Sequence, residues 1–337
     1  MKIGKLSWDD LSKIIDNNKG NLRDEVRIRS GIGEDCSVVS FGEYECVLST
    51  DPITAADNNI GRLVVHINAN DIASCGAEPI GILVTVLSPP CSQLEDIYNV
   101  MREINEEAKK LNMEILGGHT EVTDSVNKIV VSCTVIGKAK AGKAVATSGA
   151  KAKDHIIVTK KLCLEGTAIL INDYYDLVKG VLTDKEIKEA KAYVDSLSVV
   201  AEGKIAGEFG VNSMHDITEG GVLGALWEVA KGSSLGFKIY KDRLPISEIT
   251  VKLCDLFNID PLKFISSGSM IITCSDGYAL VDKLKNSGIE ATVIGEVIQG
   301  AKILVDNNNE FNVLPPERDE LFNISTENII KNLQNRR

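Results

Sequence analysis

No stretch of this chain stays apolar for the roughly 18 residues that a membrane-spanning helix needs. Its opening, MKIGKLSWDD, has no apolar segment of the signal-peptide kind. A cytoplasmic protein is expected. C-x-x-C pairs and Cys/His zinc spacings are missing, although cysteines stand at 36, 46, 75, 91, 133, 163, 254 and 274; a zinc module is excluded. Several of these cysteines sit in apolar runs such as VVSCTVIG and SMIITCS, where a reduced thiol packs as a small hydrophobe. Positive charge is short: 37 Lys and Arg face 48 Asp and Glu, a net charge of -11. That balance disfavours a nucleic-acid backbone or an anionic membrane as partner. It suits solubility, and also the binding of divalent metals. G-x-G-x-x-G is absent, which removes the simplest dinucleotide site. The nearest P-loop match, GKAKAGKA over 137–144, places Ala144 where the magnesium-holding hydroxyl belongs. No helix signal follows it to receive phosphate, so the match is accidental.

What is present suits a two-domain enzyme-sized protein. The 337 residues are 44% hydrophobic and 25% charged, enough for two buried cores. In the first half YECVLSTDPI (44–53) and GILVTVLSPP (81–90) read as buried strands closed by prolines. Residues 61–75 read as a helix stopped by Gly76, despite the β-branched Val64, Val65 and Ile67. Leu94, Ile97, Met101, Ile104, Ala108 and Leu111 recur at helical steps. MEILGG and KIVVSCTVIGKAK add two strands, giving an α/β domain of about four strands. The Ala/Gly/Lys-rich stretch 138–153 reads as the boundary between an N-terminal domain, 1–143, and a C-terminal domain, 144–337. The second half reads as α+β: strands in DHIIVTKK, GFKIY, SMIITC, ATVIGEVI and AKILVD, with helices near 164–173, 184–208, 219–231 and 276–287.

The acids carry the chemistry. Asp35 in GIGEDCS, Asp51 in LSTDPIT and Asp71 in NANDIAS each stand at the edge of an apolar segment or, for Asp71, inside a helix beside Asn68 and Asn70. A hard cation such as Mg²⁺ takes a few carboxylates together with substrate phosphates. Taken singly, each aspartate also reads as a cap or turn residue. Two glycine pairs complement the acids: Gly117–Gly118 at a strand end, and Gly220–Gly221 at a helix start just after His215 and Asp216. Both read either as plain turns or as places where anionic ligand oxygens approach backbone N–H groups.

In this order GIGEDCS, STDPIT, INANDIASCGAEP, ILGGHTEV, TSGAKAKDHIIVTK, LEGTAIL, MHDITEGGVLGALWE and ISSGSMIIT resemble the aminoimidazole ribonucleotide synthetase superfamily. Its members include thiamine-monophosphate kinase, selenophosphate synthetase and the hydrogenase-maturation factor of the HypE type, and HypE is the branch this chain most resembles. The resemblance implies an N-terminal sheet that pairs with a second subunit into a barrel, ATP near that homodimer interface, and a C-terminal α/β domain over the cleft. It assigns Asp35, Asp51 and Asp71 to magnesium, and Asn68, Gly117, Gly118, Thr120, Gly220 and Gly221 to nucleotide. His119, Glu121 and Asp216 are then the catalytic candidates, with His119 standing where the superfamily often has aspartate. A structural role for His119, satisfying carbonyls in a turn, is the alternative.

HypE-type members phosphorylate, and so dehydrate, an amide carried on their own C-terminal cysteine. This sequence ends ENIIKNLQNRR and its last cysteine is Cys274. The expectation is a Mg-ATP enzyme that activates an amide or carbonyl oxygen on a small molecule or a maturation partner protein. A kinase of the thiamine-monophosphate type and a non-catalytic nucleotide-binding scaffold in metal-cofactor assembly are the alternatives.

Overall fold

A computed structural model describes residues 4, 6–54 and 59–324. Among them the N-terminal half builds an open sheet of six strands: β1 (Val26–Ile28), β2 (Ser37–Phe41), β3 (Tyr44–Ile53), β4 (Glu78–Ser88), β5 (Glu114–Val122) and β6 (Val130–Lys140). Their order across the sheet is β1-β2-β3-β6-β4-β5. This is two strands more than expected, because β1 and β2 are short and carry no long apolar run. Helix α1 (Trp8–Asn17) precedes them, and α2 (Ile60–Ser74) and α3 (Leu94–Lys110) cover one sheet face. The start of α3 is fixed where Gln93 N–H donates to Asp96 at 2.8 Å. Of the stripe that its spacing predicted, Ile104 and Ala108 are buried, Ile97, Met101 and Leu111 are partly buried and Leu94 is exposed, while Val100 joins the buried face. Helix α2 is buried nearly all round, so tertiary packing overrides the weak propensity of its valines and isoleucines.

Among the described residues the opposite sheet face has no cover. In-register pairing places Phe41, Tyr44, Leu48, Ile136 and Leu83 on it, and Phe41, Tyr44 and Leu83 are exposed.

The second half forms a seven-stranded sheet: β7 (His155–Thr159), β8 (Ser213–Asp216), β9 (Gly236–Tyr240), β10 (Met270–Cys274), β11 (Ala291–Ile298), β12 (Lys302–Asp306) and β13 (Asn309–Asn312), in the order β13-β12-β9-β11-β7-β10-β8. Its helices are α4 (Leu164–Asp173), the single turn α5 (Tyr175–Val178), α6 (Asp184–Lys191), α7 (Val200–Phe209), α8 (Gly221–Gly232), α9 (Glu248–Phe257) and α10 (Gly277–Asn286). Alternate residues of β7 serve opposite faces: Ile156 and Val158 pack with α4, α8 and α9, while Ile157 packs with α7 and α10.

The helix expected over 184–208 is broken. Leu197 O accepts from Asn70 Nδ2 at 2.8 Å and Val199 N–H donates to Asn70 Oδ1 at 2.8 Å. Backbone groups that a continuous helix would pair internally are thereby held by α2 of the other half. Gly203 deepens this contact, since a Cβ there would lie 2.2 Å from Ala73 O. The stretch 138–153, read as the boundary between the halves, is held in place: β6 runs to Lys140, and Glu34 accepts from Thr147 and Ser148 N–H at 3.0 and 3.1 Å.

Candidate functional site

Four of the singled-out acids meet where the two halves touch. Asp35 lies in the turn before β2; the turn packs on α8 at Gly33, where a Cβ would lie 2.9 Å from Glu228 Cβ. Asp51 shares the helix-covered face of β3 with Ser49, two residues before it. Asp71 projects from α2, and Ser49 Oγ donates a short hydrogen bond to it. Asp216 ends the short buried strand β8. Burial first, then the charges of Asp216, Asp51 and Asp35, push the Asp71 carboxyl well above the usual carboxylate range.

His215 is the cation of this cluster. Its Nδ1 lies 2.7 and 2.8 Å from the two Asp35 oxygens and its Nε2 lies 2.7 Å from Glu228 Oε2. Burial opposes the charged ring, but the two carboxylates prevail and raise its pKa well above the ordinary histidine value. One ligand atom each from Asp35, His215 and Asp216 lie within 4.8 Å of one another. The site is therefore rich in carboxylate oxygen and holds one buried imidazolium.

Asn68 belongs to the framework of this site. Its Oδ1 accepts from Asp51 N–H at 2.8 Å, while its Nδ2 donates to Val64 O at 2.9 Å and Asp51 O at 3.3 Å. It fixes the end of β3 against α2 and so sets the position of Asp51.

The expected bare turn at Gly117–Gly118 is not a turn. Both glycines lie inside β5, which continues to Val122. Gly118 is demanded by its neighbour strand: a Cβ would sit 1.8 Å from Val84 O. Gly117, Gly118 and Thr120 pair in register with Leu83, Val84 and Val86 of β4. His119 and Glu121 pair with Thr85 and Leu87 on the uncovered face, where they contact each other at 3.1 Å and stay exposed. From Asp51 the register runs through Cys133 and Val84 to Gly118, three strand spacings or ~14 Å. Within one chain His119 and Glu121 therefore stand apart from the acid cluster, on the other side of the sheet.

Gly220 and Gly221 do start α8, with positive φ of 85° and 61°. The N–H of Gly220 already donates to Asp319 at 2.7 Å, and a Cβ on Gly221 would lie 2.7 Å from Leu262 O. Packing and an internal carboxylate occupy this helix start. Sequence reasoning passed over Ser49 and Glu228. Period-two spacing from Asp51 marks Ser49, whereas nothing local marks Glu228.

An α/β chain of two sheets with a carboxylate-rich site at their junction is the class that fold and site define. The description "AIR synthase related protein, N-terminal domain" matches residues 33–139, and its C-terminal counterpart matches 151–306. The chain belongs to the AIR synthase related family. It is 32% identical over 256 residues, 73% of each chain, to a putative hydrogenase expression/formation protein of Methanocaldococcus jannaschii. It is 25% identical to the carbamoyl dehydratase HypE of Rhizobium leguminosarum bv. viciae, over 79% of this chain and 77% of that one. The thiamine-monophosphate kinase of Pyrococcus horikoshii is 24% identical over 84% and 88% of the two chains. Among solved structures, the HypE–HypF complex superposes with a TM-score of 0.75 at 22% identity, covering 91% of this chain and 99% of that one. Among the described residues no helix is long and apolar enough to cross a membrane.

Proposed function

We propose that this protein is a Mg-ATP-dependent enzyme that activates an amide or carbonyl oxygen by phosphorylation, in the manner of its carbamoyl dehydratase relatives. The observation that carries the reading is the gathering of Asp35, Asp51, Asp71 and Asp216 from three separate loops and strands and one helix around a single point, with Asp71 burdened by the charge of the other three. Asp71 and Asp216 are buried, Asp35 is partly buried and Asp51 is exposed; carboxylates so placed repel one another and favour a cation between them. An oxygen donor set of this kind fits a hard divalent ion; Asp51, Asp71 and Asp216 would hold it, and His215 balances Asp35. Magnesium, when bound, neutralises the charge that builds on the transferred phosphoryl group.

The chain's own part is placement and charge. Ser49 and Asn68 fix Asp71 and Asp51, and Glu228 holds His215, so the charges are preorganised before substrate arrives. The acceptor oxygen forms a bond to the γ-phosphorus, the β,γ-bridging bond breaks, and ADP leaves. With an amide acceptor the nitrogen then gives up its protons as the carbon–oxygen bond breaks, releasing phosphate and leaving a nitrile. The acceptor belongs to a small molecule or to a maturation partner protein.

The uncovered face of the N-terminal sheet supports a homodimer, since an exposed apolar sheet face calls for cover. In that arrangement His119 and Glu121 lie at the subunit interface. Incubation with Mg-ATP and candidate amides, following ADP and phosphate, tests the reading. ADP with equal free phosphate and a nitrile product is expected. ADP with a stable phosphorylated product would instead establish the kinase reading, which the thiamine-monophosphate kinase relative favours. Mg-ATP binding with no ADP from any acceptor would establish the scaffold.

A further inference from the structure

A cavity of about 590 Å³ opens beside the acid cluster, between the start of α1, the start of α8 and residues 315–322. That volume suits a small molecule. Glu228, the partner of His215, lines it, so one side chain joins the cluster to the cavity. Both tryptophans of the chain are in its wall. Trp8 and Trp227 meet edge to face, with ring centres 6.1 Å apart and an interplanar angle of 87°. Phe322 supplies a third ring.

The charge of the wall is one-sided. Among the described residues, Asp9, Asp10, Glu219, Glu228, Glu317 and Asp319 line it against Lys231 and Arg318. Those two cations already lie over its rings: Lys231 Nζ is 5.4 Å from the Trp8 ring centre and the Arg318 guanidinium carbon is 4.8 Å from that of Phe322. The rings thus display the affinity for cations that their negative faces confer. The positive end of α8, which would attract an anion, is taken by Asp319; its other oxygen accepts from Leu321 N–H at 2.7 Å. A phosphate or carboxylate arriving from outside meets a wall of its own sign.

We propose that this cavity binds a small organic cation, an amine, amidine or quaternary ammonium group on a flat or apolar body. Calling that occupant the acceptor molecule rests on the phosphoryl-transfer reading above; the binding itself does not. Because the two tryptophans are both in the wall, tryptophan fluorescence of the full chain without nucleotide reports on this cavity. Titration with benzamidine and with benzyltrimethylammonium is expected to give a saturable change. Benzyl alcohol and benzoate, of similar shape, are expected to give none at the same concentrations. Glu317→Gln and Glu219→Gln should each weaken the cations by about tenfold, as expected when one member of a partly desolvated charge contact is neutralised. The proposal is overturned if benzoate or inorganic phosphate saturates the signal as tightly, if neither cation gives a saturable change, or if both variants bind as the parent does. Calorimetric Mg-ATP binding on the same samples reads the acid cluster separately. Intact Mg-ATP binding with failed cation binding sinks only the cavity proposal, and the reverse result sinks only the phosphoryl-transfer reading.

Discussion

Replacing Asp71 by asparagine separates the electrostatic role of the cluster from its structural one. The substitution keeps shape, and the amide oxygen can still accept from Ser49 Oγ, the partner of Asp71 in the parent. It removes one charge from a buried group whose carboxyl is raised by burial and by Asp216, Asp51 and Asp35. The sign follows from linkage. A carboxyl with a raised folded pKa binds its proton more firmly when folded, so the penalty is absent in acid and grows as pH climbs from the unfolded value through the folded one. At neutral pH the metal-free variant should therefore be more stable than the parent, by about 1–2 kcal/mol, the usual relief when a strained functional site is neutralised. Thermal unfolding in a chelator at pH 7.5 and again at pH 4 would show the gain at the higher pH and its loss at the lower. Mg-ATP binding by calorimetry should fall about a hundredfold, or about 2.7 kcal/mol. If the variant loses stability at neutral pH and binds Mg-ATP as tightly as the parent, the acids are a structural arrangement and the cation site is wrong.

Gly118→Ala should cost more than about 3 kcal/mol in chemical denaturation, because the Val84 carbonyl it would strike is backbone and cannot yield. Gly117→Ala, whose Cβ would meet only Leu83 Cδ2 at 3.9 Å, should cost about 1 kcal/mol from its positive φ; equal losses would refute the strand-contact explanation. Asn70→Ala should destabilise by about 2–4 kcal/mol, leaving Leu197 O and Val199 N–H without their buried partner; a neutral result would mean that the break between α6 and α7 is set elsewhere. Glu165 is buried, and burial raises its carboxyl from 4.5 to about 7. Parent stability should thus fall by about 3 kcal/mol between pH 4.5 and 7 on its account, and Glu165→Gln should flatten that slope in pH-resolved denaturation.

Much of the fold was legible because its signals are local. The apolar runs of β3 and β4 and the helical stripe of α3 need no distant partner to be recognised, and they lie where pattern placed them. The misses have long-range causes. Strand β8 is four residues long with three polar members, and only its pairing with β10 makes it a strand. The gap between α6 and α7 exists because Asn70, more than a hundred residues earlier, captures its backbone. Gly117 and Gly118 look like a turn in one dimension, but the requirement for Gly118 comes from the carbonyl of a neighbouring strand. Asp35 and Asp51 were singled out by their positions at element edges and Asp71 by its place beside Asn68 and Asn70 in a helix, whereas Glu228 carries no such mark inside α8.

The position of the cluster links stability to function. Asp35, Asp51 and Asp71 come from the first half of the chain, while His215, Asp216 and Glu228 come from the second. Neither half alone assembles the site. Mutual repulsion among the carboxylates tends to part the halves, and it is opposed by the Asp35–His215 pair, the Asn70 bonds, the Glu34 bonds and the close packing of Gly203 on Ala73. A divalent cation at the centre would convert that repulsion into attraction. Ligand binding and docking of the two halves are then one equilibrium, so Mg-ATP should protect backbone amides along α2 and β8 from hydrogen exchange beyond the residues it touches. Protection confined to the acid cluster would mean that the halves are held together independently of the ligand.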